Sequence, residues 1–212
     1  MTATLNQPEY ASIIDRLFAD AQLDAERRQG ISPRDYAVEQ RSDAFQHVYL
    51  SVAPDTGRLL YSLVRAVKPT TIVEYGMSYG ISTLHLAAAV RDNGIGHIIT
   101  TEMSSHKLAA ARATFSDAGV SDLITILEGD ARTTLETVSG PVQFVLLDGW
   151  PDLDLPVIKI LEPVLTSGAL IVGDNVNLDP NHDYLNYVRA PENGYVSTPL
   201  PLDKGLELAV RV

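Results

Sequence analysis

The pattern of apolar and polar residues changes near residue 70. Before that point, apolar residues recur at helical spacing over residues 8–28 and again through Leu59, Leu63 and Val67, where Lys68-Pro69 ends the second helix. Beyond it, short runs rich in β-branched and aliphatic residues alternate with helical stretches; the runs cover residues 71–75, 97–101, 123–127, 142–147 and 168–172. Such alternation is typical of βαβ units, in which helices cover both faces of a parallel sheet.

The C-terminal segment departs from this alternation. Residues 194–199 and 205–212 fit two strands with no helix between them, so we expect an antiparallel hairpin to complete the sheet. The predicted fold class is therefore α/β: a Rossmann-like, mostly parallel, seven-stranded sheet with helices on both faces and a C-terminal antiparallel hairpin. We expect one domain overall, in which residues 1–50 form an N-terminal helical cap or lid and residues 51–212 carry the sheet.

Composition narrows the range of partners. The 27 acidic and 16 basic residues give a formal net charge of −11, which disfavours binding to nucleic acid or to an anionic membrane surface. The absence of cysteine excludes disulfides, thiolate metal sites and a cysteine nucleophile. No signal-peptide pattern and no run of roughly 20 apolar residues is present. We expect a cytoplasmic protein with a small-molecule substrate. Its N-terminal helix could form a homodimer contact or equally cap the sheet.

Polar and glycine residues follow the predicted strands, where open parallel sheets bind their ligands. The turn after the first strand, Glu74-Tyr-Gly76-Met-Ser-Tyr-Gly80-Ile-Ser82, spaces its glycines GxxxG rather than GxGxxG, which argues against a dinucleotide site. Glu102 ends the second strand and could accept hydrogen bonds from both hydroxyls of a ribose. Asp130 follows the third strand and could accept from an adenine amino group or cap the helix that begins at Ala131.

Three side-chain oxygens follow the fourth and fifth strands. Asp148 comes after the fourth strand, and Asp174 and Asn175 come after the fifth. If these strands are neighbours, they lie about 4.8 Å apart and the three side chains could converge on one cation. Two carboxylates and a carboxamide suit Mg²⁺, Mn²⁺ or Ca²⁺. Taken singly, each of these residues could instead serve as a helix cap or a turn former.

Several segments resemble one enzyme family. The turn at residues 74–82 is similar to the first motif of class I S-adenosylmethionine-dependent methyltransferases, (D/E)xGxxxGxS. Leu147-Asp148-Gly-Trp150 and Gly173-Asp174-Asn175-Val176 resemble the metal-binding segments of the catechol and caffeoyl-CoA O-methyltransferase branch. The stretches at residues 52–60 and 203–209 also look like that branch, so the resemblance runs from about residue 50 to the C-terminus.

The resemblance implies a fold, an activity and a set of site residues. It implies that residues 51–212 form an S-adenosylmethionine-dependent methyltransferase domain. Around the cofactor it implies Glu102 at the ribose, Asp130 or Ala131 near adenine, and Trp150 near the adenine or the mouth of the site. Residues that it implies at the methionine end are Glu74, Gly76, Gly80 and Ser82, and Met103 and Asp148 also belong to the implied cofactor site. It implies that Asp148, Asp174 and Asn175 bind Mg²⁺, or Mn²⁺ or Ca²⁺ in its place.

One departure leaves the acceptor and the base open. Catechol-type enzymes place a lysine base three residues after the first metal Asp, where this chain has Pro151. The candidate bases are instead His182, His47 and Asp152, and the acceptor could be a sugar, a polyol or a phenolic natural product. Two other functions are weighed against methyl transfer: a non-catalytic S-adenosylmethionine-binding protein, and an NAD-dependent oxidoreductase, which the GxxxG spacing disfavours.

Overall fold

A seven-stranded sheet organises the part of the chain that the computed structural model describes, residues 2–178 and 183–212. Its strands run in the order β3-β2-β1-β4-β5-β7-β6. The bounds are β1 Thr71–Tyr75, β2 His97–Glu102, β3 Ile124–Glu128, β4 Val142–Leu147, β5 Leu165–Gly173, β6 Tyr195–Leu200 and β7 Leu206–Arg211. Strands β1 to β5 pair in parallel, and β7 pairs antiparallel with both β5 and β6. The predicted fold class is confirmed, including the terminal hairpin.

Helices cover both faces of the sheet. Their bounds are α1 Pro8–Ala21, α2 Asp24–Arg27, α3 Val38–Ala44, α4 Pro54–Val67, α5 Ile81–Asn93, α6 Ser105–Asp117, α7 Ala131–Thr134, α8 Asp154–Leu161 and α9 Asp183–Arg189. Side chains alternate along each strand, so Ile72 of β1 joins the core under α1, α4 and α5, whereas Val73 joins the core under α8 and α9. Burial on both faces explains why apolar residues predominate in β1 and β4 and do not alternate with polar ones.

The N-terminal segment packs onto the helical layer. The apolar face of α1 lies against α5, where the Tyr10 hydroxyl donates to the carbonyl of Leu84 at 2.7 Å and Ile14 and Leu17 are buried. This contact favours the capping role of α1; a homodimer contact stays a prediction. The cap-or-lid role of residues 1–50 also stays a prediction.

Two features of the helices differ from the sequence-based prediction. The helix expected over residues 8–28 is two helices, since α1 ends at Ala21 and the side chain of Asp24 in α2 binds the backbone amides of Tyr49 and Leu50 at 2.9 Å. Helices α3 and α9 were not predicted, because their short sequences carry little apolar periodicity.

Among the described residues, no helix combines the length and apolar character that crossing a membrane would require.

Candidate cofactor and metal site

The turn after β1 is held from beneath by Glu74. Its side chain is fully buried, and its carboxylate accepts hydrogen bonds from Ser82 at 2.7 Å, Thr83 at 2.6 Å and Thr100 at 2.5 Å. Burial raises the pKa of Glu74, and these three hydrogen bonds oppose that shift. Glu74 therefore ties the start of α5 to strand β2 and fixes the turn, rather than lining either of the cavities described below.

Two glycines of this turn occupy positions that exclude a side chain. Gly76 has φ +97°, and a Cβ there would lie 2.5 Å from the carbonyl oxygen of Asp148. Gly80 has φ +86°, and a Cβ there would lie 2.5 Å from the ring of Phe115. Both positions require glycine, because the backbone has a positive φ and because there is no space for a Cβ. The turn can consequently lie directly against the backbone that follows β4.

An elongated cavity runs along the carboxyl ends of β1, β2, β3 and β4. We call it the edge cavity; its lining includes Gly76, Ser78, Glu102, Met103, Asp130, Ala131, Asp148 and Trp150. The sequence-predicted cofactor residues in this lining come from different loops, and the parallel sheet brings them together because its carboxyl ends share one edge. Gly80 and Ser82 lie behind the turn instead, and Ser82 lines a small adjoining pocket with Ser78 and Asp148.

Three acidic residues line the edge cavity, and two of them, Glu102 and Asp130, are held by hydrogen bonds near its rim of strand ends. Glu102 accepts backbone hydrogen bonds from Met103 and Ser104 on one oxygen, both at 2.8 Å, and from Ser78 on the other at 2.9 Å. Asp130 caps α7 by accepting from the amide of Arg132 at 2.8 Å and also pairs with the Arg132 guanidinium at 2.6 Å. That guanidinium lowers the pKa of Asp130. The capping alternative for Asp130 is thus confirmed.

Trp150 forms one wall of the edge cavity. Its ring meets Phe45 edge to face, with centroids 5.4 Å apart, and the guanidinium of Arg41 lies 5.3 Å from its centroid. Arg41 is held in turn by both oxygens of Asp152, at 2.8 and 2.9 Å. The backbone amide of Trp150 donates to the hydroxyl of Tyr75 at 3.1 Å. These contacts fix the indole as a rigid apolar surface.

The candidate metal ligands converge at the ends of β4 and β5. Sheet pairing continues into them, since the amide of Asp174 donates to the carbonyl of Leu147 at 2.9 Å. The Asn175 side-chain nitrogen lies 2.8 Å from Oδ2 of Asp174 and 3.4 Å from Oδ1 of Asp148. Oδ1 of Asp174 is buried with no hydrogen-bond partner among the described residues. Burial raises the pKa of both carboxyls, and the charge of Asp174 raises that of Asp148 further.

This arrangement fits a hard divalent cation. Two carboxylates this close repel each other when ionised, and a cation between them removes both that repulsion and the lack of a partner at Asp174. A half-turn of the Asn175 amide would present Oδ1 where Nδ2 now lies, which gives a third oxygen ligand. Within residues 2–178 and 183–212, no three His, Asp or Glu side chains cluster with metal-binding geometry, so the carboxamide is needed to complete the set.

A second cavity opens on the other side of Asp148. We call it the outer cavity; it has a volume of about 540 Å³ and shares Leu50, Arg41, Asp148, Gly149 and Trp150 with the edge cavity. Asn175 and Lys204 also line it, and its outer wall comes from α2 and the loop that follows, through Asp24, Arg28 and Arg34. Of the candidate metal ligands, Asp148 therefore lines both cavities and Asn175 lines the outer one, while Asp174 is buried beside them.

Comparison with known proteins agrees with this geometry. Residues 73–176 match the family model described as a methyltransferase domain. Catechol O-methyltransferase of Mycobacterium tuberculosis is 30% identical over 148 residues, which are 69% of this chain and 66% of that protein. Catechol O-methyltransferase B of Danio rerio is 29% identical over 147 residues, 66% of this chain and 55% of that protein.

The chain belongs to the family that this methyltransferase-domain model describes, and the relatives that it matches are catechol O-methyltransferases. A solved structure, the O-methyltransferase of Streptomyces achromogenes involved in tomaymycin synthesis in complex with SAM, shares the fold with a TM-score of 0.70 and 22% identity. It covers 92% of this chain, and this chain covers 98% of it. The chain spans between just over half and about two thirds of the length of the catechol O-methyltransferases above.

This O-methyltransferase family member departs from the catechol pattern at the candidate base. Pro151 occupies the position of the family lysine. Asp152 is bound by Arg41, and His47 is exposed with its ring centroid 4.6 Å from that of His106, outside the linings of the edge and outer cavities. His182 lies outside the described residues.

Sequence reasoning overlooked two charged residues of the site. Arg41 and Lys107 both line the edge cavity. The sequence around Lys107 contained a usable signal, because Lys107 lies on the same stripe of α6 as the buried Ala111 and Phe115, where a lysine is unexpected. For Arg41 the sequence contained no such signal, since a tertiary contact with Trp150 brings it to the site from the N-terminal segment.

Proposed function

We propose that the protein transfers the methyl group of S-adenosylmethionine to a hydroxyl oxygen of a small molecule, with a divalent cation held by Asp148, Asp174 and Asn175. The observation that carries the proposal is that Asp148 lines both the edge and outer cavities, while the side chain of Asn175, which lines the outer cavity, reaches both Asp148 and Asp174. A donor in one cavity and an acceptor in the other would meet beside Asp148, which is the arrangement that group transfer needs.

The lining of the edge cavity supports its assignment to the donor. Glu102 receives a single backbone hydrogen bond on Oε2, so this oxygen can accept another from a ribose hydroxyl. The flat face of Trp150 and the backbone around Asp130 and Ala131 suit adenine. Gly76 allows the donor to approach the backbone of the turn closely.

The metal ligands and the base would act on the acceptor. A divalent cation held by Asp148, Asp174 and Asn175 would supply Lewis acidity, which would lower the pKa of the acceptor hydroxyl. We assign to His182 the role of general base that accepts the proton of the acceptor hydroxyl. His182 follows the metal ligands by a few residues in the sequence. Asp152 ranks below it because both of its oxygens engage Arg41. The walls of Trp150 and Leu50 would keep water away from the methyl group.

The charges around the outer cavity bear on the acceptor, which we take to be a phenol, a sugar or a polyol. Arg28, Arg34 and Lys204 line this cavity, and none of them forms an ion pair with another described residue. Asp152 in the same lining is paired with Arg41, and Asp148 would hold the cation, so these three basic groups favour a hydroxylated acceptor that also carries an acidic group. Catechol set against 3,4-dihydroxybenzoate, and glucose against glucuronate, are suitable pairs.

The proposal is tested by binding first and turnover second. Calorimetry should detect S-adenosylhomocysteine binding, and incubation with labelled S-adenosylmethionine, Mg²⁺ and the acceptor panel should yield a methylated product that EDTA abolishes. Binding of S-adenosylhomocysteine with no product from any acceptor would favour a non-catalytic binding protein. A response to NAD⁺ but to neither sulfur nucleoside would favour an oxidoreductase and overturn the proposal.

A further inference from the structure

Lys107 is a buried cation that opens into the edge cavity. It lies in the first turn of α6, and only 5% of its surface is exposed. Its ammonium lies 5.8 Å from the centroid of the Tyr79 ring, and no described residue forms a hydrogen bond or ion pair with it. Burial lowers the pKa of Lys107. A lysine buried to this extent normally has an anionic partner, because an unpaired buried charge is costly.

The acidic neighbour within the cavity does not supply that partner. The oxygens of Glu102 are directed at the backbone amides of Ser78, Met103 and Ser104. The other cation that the described residues contribute to this cavity, Arg41, is already held by Asp152 and by the ring of Trp150. Lys107 is thus left with room for an anion from the ligand.

The position of Lys107 indicates which end of the ligand it faces. Its ammonium faces the ring of Tyr79, which belongs to the glycine-rich turn, and Ser78 of that turn lines the same cavity as Lys107. The charges of Glu102, Asp24 and Asp148 oppose the lowering of its pKa by burial. Lys107 therefore lies beside the glycine-rich turn.

The chemistry of the donor supplies a matching anion. Adenosine carries no negative charge, whereas the amino-acid end of S-adenosylmethionine is a zwitterion with one ammonium and one carboxylate. We propose that Lys107 binds the carboxylate of the methionine moiety, while Asp148 offers the negative charge that complements its ammonium. This inference rests on the proposed function only for the identity of the donor. It makes Lys107 a binding residue that distinguishes the amino-acid end from the nucleoside end.

Two ligands that differ at this end provide the test. S-adenosylhomocysteine and 5′-methylthioadenosine share the adenosine and the thioether, but the second lacks the amino-acid group. For Lys107→Met, calorimetry should show S-adenosylhomocysteine binding weakened by about 10- to 100-fold, the usual loss when a charged hydrogen bond is removed. The affinity for 5′-methylthioadenosine should stay within about twofold. Lys159→Met is the matched control, because Lys159 is exposed on α8 and should change neither affinity.

Any result other than this selective loss contradicts either the inference or the proposed function. Unchanged S-adenosylhomocysteine affinity in Lys107→Met would show that the carboxylate binds elsewhere, and an equal loss for both ligands would place Lys107 at the nucleoside or in a structural role. If Lys107→Met does not fold, as judged by circular dichroism, Lys107→Gln should show the same selective loss. A wild-type protein that binds 5′-methylthioadenosine and S-adenosylhomocysteine equally well would also contradict the inference. Failure of the wild type to bind either ligand would instead refute the proposed function.

Discussion

The side-chain nitrogen of Asn175 lies 2.8 Å from one carboxylate oxygen of Asp174, while the other oxygen of Asp174 is buried without a hydrogen-bond partner among the described residues. Asn175 adopts the left-handed conformation, with φ +60°, and this turns its side chain back toward its neighbour. One buried carboxylate oxygen among the candidate metal ligands is thus left unsatisfied by the described residues. The first prediction concerns that oxygen.

Replacing Asp174 by Asn should abolish the response of the protein to divalent cations. In the wild type, Mg²⁺ at 100 times its dissociation constant should stabilise the fold by about 2.7 kcal/mol. Asp174→Asn keeps the size of the side chain but removes one charge, so the Mg²⁺-dependent rise in melting temperature should vanish and methyl transfer should fall at least 100-fold. Thermal melts with Mg²⁺ and with EDTA measure this. Asp55→Asn, at an exposed carboxylate on α4, should retain the full response.

Replacing Gly76 by Ala should destabilise the protein more than the same change at another left-handed glycine. At Gly76 the new Cβ would lie 2.5 Å from the backbone oxygen of Asp148, whereas at Gly30, with φ +80°, nothing lies within 4 Å. We expect Gly30→Ala to cost about 1 kcal/mol from conformation alone and Gly76→Ala to cost at least about 2 kcal/mol more. Urea denaturation checks the difference. Equal losses would mean that the turn can move away from the strand-β4 loop.

Stability should fall on acidification because of His85. This ring is 3% exposed, its Nδ1 lies 2.8 Å from the carbonyl of Ile81, and burial lowers its pKa below the ordinary value of 6.5. The unfolded chain takes up a proton below about pH 6.5 and the folded protein does not, so the stabilisation is complete above that pH and is lost as the pH falls. The limiting slope is about 1.4 kcal/mol per pH unit.

The variant His85→Gln isolates this contribution. It should lower the free energy of unfolding at pH 7.5 by about 1 kcal/mol through lost packing against Gly57 and Phe18, and it should flatten the dependence between pH 6.5 and 5. Urea denaturation at several pH values gives both quantities. Wild-type and variant curves that run parallel over this interval would contradict the assignment to His85.

The two candidate histidine bases should respond differently to substitution. His182→Gln should lower kcat by about 100-fold, remove the acidic limb of the pH–rate profile and leave the affinity for S-adenosylhomocysteine unchanged. His47→Gln should leave kcat within about twofold, because the ring lies against His106 outside both cavity linings. Should His47→Gln show the larger loss, the N-terminal segment would have to supply the base.

The sequence by itself determined the fold and the set of loops that make the site. Alternating apolar runs specified the parallel strands, and β1 and β4 were predicted at their observed bounds because strands buried on both faces need nearly every residue to be apolar. The GxxxG spacing and the acids after each strand located the edge cavity, because parallel strands bring their carboxyl ends to one edge regardless of detailed packing.

Only the tertiary structure decided what each side chain contacts. Glu74 is directed beneath the turn toward Ser82, Asp130 pairs with Arg132, and Lys107 opens into the edge cavity. The contact of Arg41 with Asp152 joins residues 111 positions apart. Periodicity reports which face of an element is buried, but partners of this kind depend on where distant segments pack. That information resides in the three-dimensional contacts rather than in any local run of residues.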